Sequence, residues 1–163
     1  MRDTWPWIMK ENESTKPDII VDGRNVAGFG RDKTNEWNWD YVTQCAKYYH
    51  DKGHKAIVVI PNWIPKDVIE KIKPYAFEIQ RVNTNRNKEW DDNMVLALTI
   101  MLNGFYVSLD KKMYTHSKGY LIDRAWCAER RIDFSFHDGV FSPGYSSKWN
   151  EMMTPEHVEE VRV

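Results

Sequence analysis

Two short runs in this chain, residues 18–22 (DIIVD) and 56–60 (AIVVI), are apolar and β-branched with no alternation. Runs this short favour strands over helices, and the missing period of two means that both faces of each strand meet other protein. A parallel sheet meets that demand, because its crossover connections lay helices on both faces. The segments between the runs agree. Residues 40–53 read as a helix capped by Asp40, with Tyr41, Cys45, Tyr48 and Tyr49 at helical spacing. Residues 65–74 start at Pro65 and carry Val68, Ile69 and Ile72, and residues 89–103 form a long helix closed by Gly104. A last helix is expected over 121–131. Residues 77–82, 105–108 and 132–136 read as the third, fourth and fifth strands, and residues 28–38 and 83–88 as loops. Strands that alternate with helices predict an α/β domain with a parallel sheet covered on both faces.

The 163 residues fit one domain, expected over 17–145, with a polar N-terminal arm over 1–16 that carries Trp5 and Trp7 and a C-terminal tail over 146–163. No run approaches the roughly 18 apolar residues of a membrane span, and the arm has no apolar stretch of the signal-peptide kind. Cys45 and Cys127 stand far apart with no metal-ligand spacing, so they read as small buried hydrophobes in a reducing cytoplasmic or nuclear setting. With 23 Lys and Arg against 24 Asp and Glu, net charge is −1. No overall basic field advertises a nucleic-acid binder, and any such binding requires a local patch.

Acids stand where an open α/β sheet keeps its ligand site, outside the carboxyl ends of strands: Asp22 follows the first run and Asp110 the fourth strand. Asp91 and Asp92 open the long helix, a place that favours carboxylates as caps or dipole partners. Each acid alone reads as a cap or a solvated turn residue. Four of them converging on one sheet end repel one another unless a hard cation such as Mg²⁺ or Mn²⁺ neutralises them.

After the first strand, Asp22, Gly23, Asn25, Val26 and Ala27 read D-G-x-N-V-A. They are followed by Gly53-His54, Pro61-Asn62-Trp63, Trp90-Asp91-Asp92, Ser108-Leu109-Asp110 and Phe134-Ser135-Phe136. This ordered set, over residues 17–143, resembles the NYN (PIN-like) endoribonuclease domain of the Regnase or MCPIP type. The resemblance implies a Rossmann-like PIN/NYN fold with a central parallel sheet of about five strands flanked by helices on both faces. It also implies a metal-dependent endoribonuclease that cuts single-stranded or stem-loop RNA, in mRNA decay or RNA silencing, to 3′-hydroxyl and 5′-phosphate products. Asp22, Asn25, Asp91, Asp92 and Asp110 then take the catalytic positions. Asp22, Asp92 and Asp110 would surround Mg²⁺, with Mn²⁺ as a substitute. Asp91 and Asp92, about 100° apart around a helix, are expected to point differently, leaving Asp91 to position the attacking water or a second ion. The further acid that such domains commonly carry beyond the position of Asp110 is replaced here by Tyr114 or Thr115, and the chain includes no CCCH zinc finger.

RNA needs cations beside such a site. Arg24 lies in the first motif, Arg81, Arg86 and Lys88 precede the long helix, and Lys111 and Lys112 follow Asp110. Trp37, Trp39 and Trp63 flank loops at the same sheet end, as core or as a stacking platform for unpaired bases. The rival reading is a catalytically weak or inactive domain that binds RNA or pairs as a homodimer or NYN-domain heterodimer. A phosphoacceptor receiver is disfavoured because the 56–60 run ends in Pro61 rather than an acid. No glycine-rich nucleotide motif is present.

Overall fold

Strands β1 (Ile19–Asp22) and β2 (Ala56–Pro61) are buried along their whole length, which is why neither run alternates. The computed structural model describes residues 16–84, 89–116, 122–146 and 148–149. With β3 (Glu78–Val82), β4 (Phe105–Val107) and β5 (Arg131–Ile132) these strands form one sheet in the order β3-β2-β1-β4-β5. Every pairing in it is parallel, and Asp22 stands opposite Val59 at the carboxyl edge.

Successive side chains of β1 and β2 point to opposite faces and so feed two cores. Ile19, Val21, Val58 and Ile60 pack with Val42, Cys45, Ala46 and Tyr49 of helix α3 (Asp40–Asp51) and with Ile72 of α4 (Lys66–Ile72). Ile20, Ile57, Val59 and Tyr106 pack with Val95 and Leu96 of α5 (Trp90–Leu102) and Cys127 of α6 (Arg124–Arg130). The expected α/β fold with helices on both faces is therefore the fold observed. Both cysteines are free and buried.

Several elements differ from the sequence reading. The segment after β1 is a one-turn helix, α1 (Gly23–Ala27), and the 28–38 loop contains another, α2 (Arg31–Thr34). Gly23 is required where α1 begins, because a Cβ there would lie 2.6 Å from the carbonyl oxygen of Val59. Asp40 does not cap α3; it is the helix's first residue, and its N–H donates to Asn38 Oδ1. The fifth strand is only two residues long. After Asp133 the chain leaves the sheet for an antiparallel hairpin of β6 (Phe134–His137) and β7 (Val140–Pro143). Phe134, Phe136 and Phe141 turn one side of that hairpin onto the α3 core. An apolar residue at every second position suits a half-buried hairpin as well as an edge strand, so periodicity alone does not separate them.

Helix α6 starts later than expected and is capped by Asp123, whose carboxylate accepts from Trp126 N–H. Residues 1–15 of the arm and most of the 146–163 tail lie outside the described residues. Among the described residues, no helix is long and apolar enough to cross a membrane.

Candidate active site

The chain runs outward from β1 through β2 and β3, then returns to place β4 on β1's other side. The loops after β1 and β4 therefore diverge and leave a crevice at the carboxyl ends, the position where open α/β sheets hold ligands. Asp22 ends β1 on one side of it, and Ser108, Leu109 and Asp110 follow β4 on the other.

Two hydrogen bonds join the two sides and a third braces the loop after β4. Ser108 Oγ donates to Asp22 Oδ2 at 2.9 Å and accepts from Asp110 N–H at 3.1 Å. Asn25 Oδ1 accepts from Leu109 N–H at 2.8 Å. Ser108 is fully buried, so its hydroxyl has no water to compete for it, and both of its bonds fix acids. Asp110 Oδ1 accepts from Lys112 N–H at 2.9 Å, which folds the loop back on itself.

Helix α5 aims its N-terminus at the same crevice. Asp22, Asp91 and Asp92 each offer a carboxylate oxygen within 4.8 Å of the others. Asp91 and Asp92 thus converge, contrary to the divergence expected from their 100° separation on the helix. Asp91 is pulled across by the fork of Arg24, whose Nε and Nη2 each sit 2.9 Å from one of its carboxylate oxygens, and by the N–H of Asp92. Side chains in a helix also lean towards its N-terminus, here towards the crevice.

Burial dominates the electrostatics. Asp22 is 3% exposed and Asp91 1% exposed. Desolvation, then the charges of Asp92 and Asp91, hold the Asp22 carboxyl well above the usual carboxylate range, against the Ser108 hydroxyl and the Asn25 backbone N–H. Desolvation also raises Asp91, against the guanidinium of Arg24. A cluster of oxygen donors that is strained by its own charge suits a hard divalent cation.

The cleft around this cluster measures about 350 Å³ and is also lined by Arg24, Asn25 and Asp110. All five acids and amides singled out in the sequence therefore meet in one place. Asp110 stands outside the tight group of three, whereas Asp91 stands inside it. Among the cations, Arg24 reaches the cleft but spends its fork on Asp91. Arg81 is exposed at the end of β3, outside the cleft lining, and donates to Asn62 O. Arg86 and Lys88 lie outside the described residues.

Arg31 of α2 lines the cleft and was not singled out by the sequence reading. Its only sequence signal is a position a few residues beyond the first motif, between Gly30 and a polar stretch. Its guanidinium lies 4.3 Å from the ring centre of Trp37. Trp37 stacks on Trp39, which meets Trp63 edge-on, so the three tryptophans form one connected row. Tyr114 and Thr115 lie in a 3₁₀ turn (Met113–His116) and do not line the cleft. Asp123 and Asp138 do not supply the missing acid either: the first caps α6 and the second sits in the β6–β7 turn.

A five-stranded parallel α/β sheet with carboxylates gathered at its switch point is the architecture of a PIN/NYN nuclease domain. The chain belongs to the Zc3h12a-like ribonuclease NYN domain family, whose profile matches residues 15–153. Its fold is similar to that of nuclear proteinaceous RNase P 2 (PRORP2) from A. thaliana, with a TM-score of 0.62 at 16% identity. That match covers 91% of this chain and 33% of the PRORP2 chain. A second PRORP2 structure gives 0.59 at 15% identity, over 90% and 36%. This chain thus spans about a third of the protein whose fold it shares. No curated protein sequence matches the chain.

Proposed function

We propose that this domain is a metal-dependent endoribonuclease that cuts single-stranded or stem-loop RNA to 3′-hydroxyl and 5′-phosphate ends. The convergence of Asp22, Asp91 and Asp92 within 4.8 Å at the sheet's switch point carries the reading. These three would hold a Mg²⁺ or Mn²⁺ ion, with Asp110 on the adjoining wall. A divalent ion in such a site activates water and neutralises charge that develops on a phosphate.

The chain's own residues prepare that site. Ser108 fixes the orientation of Asp22 and draws in the backbone of Asp110. Asn25 ties the loop after β4 to the turn after β1, so the acids from both strands keep one spacing. Arg24 holds Asp91 in line, and Arg31 supplies a cation at the mouth for the RNA backbone. Arg81 would extend the track along the β3 side, and Arg86 and Lys88 are further candidates for RNA contact on their sequence alone.

A second reading is a domain that binds RNA or pairs with another NYN domain without cutting. One observation favours it: Asp91 is already satisfied by a guanidinium. Labelled single-stranded and stem-loop RNA, incubated with Mg²⁺ or with EDTA, separates the two. Metal-dependent cleavage with phosphatase-sensitive 5′ ends supports the nuclease, and RNA retained intact under both conditions supports the binding module.

A further inference from the structure

A second cleft, of about 690 Å³, opens beside the acidic one. The two share Asn25, Gly28 and Trp37 in their walls, so they adjoin and one RNA strand bound at the acids reaches the second cleft. The volume is typical of sites that enclose a small molecule, about 300–1,000 Å³. Phe29, Trp37, Tyr41 and Leu109 give it apolar walls. Tyr41 and Phe29 are anchored on Phe136, so those walls are rigid. The chain keeps Trp37 close by having no side chain at Gly28, where a Cβ would lie 3.1 Å from the tryptophan ring.

The charges of the two clefts differ in a way that sorts the parts of a nucleotide. Arg24 and Arg31 stand at the acidic cleft. Asp32 and Glu36 make the wall of the second acidic, against Lys33 as the single cation of its lining. A phosphate is repelled from that wall, while a flat, uncharged ring is accepted by the aromatic sides. Carboxylates only accept hydrogen bonds, and uracil offers them one ring N–H flanked by two carbonyl oxygens, so they favour a base that carries an exocyclic amine.

We propose that this second cleft is a nucleobase subsite. It takes one unpaired, amine-bearing base of the RNA whose phosphate lies at Asp22, Asp91 and Asp92, and so helps to choose the cleavage position. The proposal rests on the nuclease reading for the placement of that phosphate. Binding of the base itself does not require cleavage.

The test walks one abasic nucleotide through an RNA and compares wild type with Leu109→Ala and Trp37→Ala. Leu109 is 38% exposed, so truncating it spares the core if the tryptophan variant fails to fold. In Mg²⁺, an abasic nucleotide at one position beside the cut should slow wild-type cleavage about tenfold, the scale of one lost base contact. Each variant should cut intact RNA more slowly and lose its response to the abasic site. Cytidine at that position should be preferred to uridine, and Asp32→Asn with Glu36→Gln should reduce that preference. In Ca²⁺, fluorescence anisotropy should show the same abasic penalty in affinity for wild type and none for Leu109→Ala. Cleavage that is indifferent to abasic sites overturns the subsite and leaves the nuclease standing. Abasic-sensitive binding without any cleavage overturns the nuclease and leaves the subsite standing. Equal penalties in wild type and in Leu109→Ala also overturn the subsite.

Discussion

Arg24 grips Asp91 at two points, Nε on one carboxylate oxygen and Nη2 on the other, both at 2.9 Å, across 67 residues of sequence. The acid is almost wholly buried while the arginine side chain keeps a quarter of its surface in water. This pair brings the first residue of the D-D step into line with Asp22.

Removing the guanidinium leaves a buried carboxylate without its cation. Arg24→Ala should cost roughly 2–3 kcal/mol of folding stability, below the about 3–5 kcal/mol of fully buried pairs because Arg24 is partly solvated. Arg24→Lys restores one contact of the two and should recover part of the loss. Added Mg²⁺ should narrow the deficit of Arg24→Ala by taking over the charge compensation. Urea denaturation with and without Mg²⁺ reads this, and a deficit that Mg²⁺ leaves unchanged would separate the ion pair from the metal site.

Asp22 sets the pH response of the metal-free domain. Its folded pKa is raised above that of the unfolded chain, so ionisation opposes folding above the folded pKa and has no such effect below the unfolded value of about 3.9. Asp22→Asn should therefore melt higher than wild type in EDTA at pH 8, and the gap should close as pH falls. The comparison cancels His54, whose lowered pKa costs stability in both proteins as pH falls. In Mg²⁺ at pH 8 the order should reverse. A gap that stays constant as the pH is lowered to the unfolded value of about 3.9 would contradict the assignment.

Ser108 is predicted to act through Asp22. Ser108→Ala deletes a buried hydroxyl bonded to a carboxylate, worth about 1.5–3 kcal/mol for a charged partner. It removes an influence that lowers the Asp22 pKa. The acid limb of the pH–rate profile should shift upward, a change that simple loosening of the fold would not produce. Ser108→Thr, which keeps the hydroxyl, should hold the limb near its wild-type position.

Much of the domain was legible because burial on both faces leaves a plain mark. DIIVD and AIVVI could be little else but central parallel strands, and the acids after the first and fourth strands, Asp22 and Asp110, pointed to the crevice. The hairpin after Asp133 was hidden, since Phe134 and Phe136 alternate in the same way at a sheet edge and in a half-buried ribbon. The meeting of Asp91 with Asp92 was hidden for another reason. Helical geometry spreads neighbouring residues apart, and the tertiary contact with Arg24, set by the turn of α1, helps to draw the first one back. Arg31 and the tryptophan row depend on how the 28–38 loop folds, which local sequence does not dictate.

Arg31 is predicted to meet the RNA backbone. Arg31→Ala should weaken binding evenly across RNA sequences and reduce the slope of log affinity against log salt by about one phosphate contact, roughly 0.7 for a single strand. Anisotropy titrations between 50 and about 200 mM salt check this. A loss confined to certain sequences would assign Arg31 to base recognition instead.

The central claim is that three converging carboxylates cut RNA together. Single-turnover cleavage by wild type, Asp22→Asn, Asp91→Asn and Asp92→Asn at saturating Mg²⁺ tests it. Outer-shell partners of metal sites commonly cost about 10–100-fold when removed, so each direct ligand should cost at least about 100-fold, with the fold intact by circular dichroism. Any of the three variants cutting at the wild-type rate would remove that residue from the centre, and equal rates in all four proteins would contradict the account as a whole.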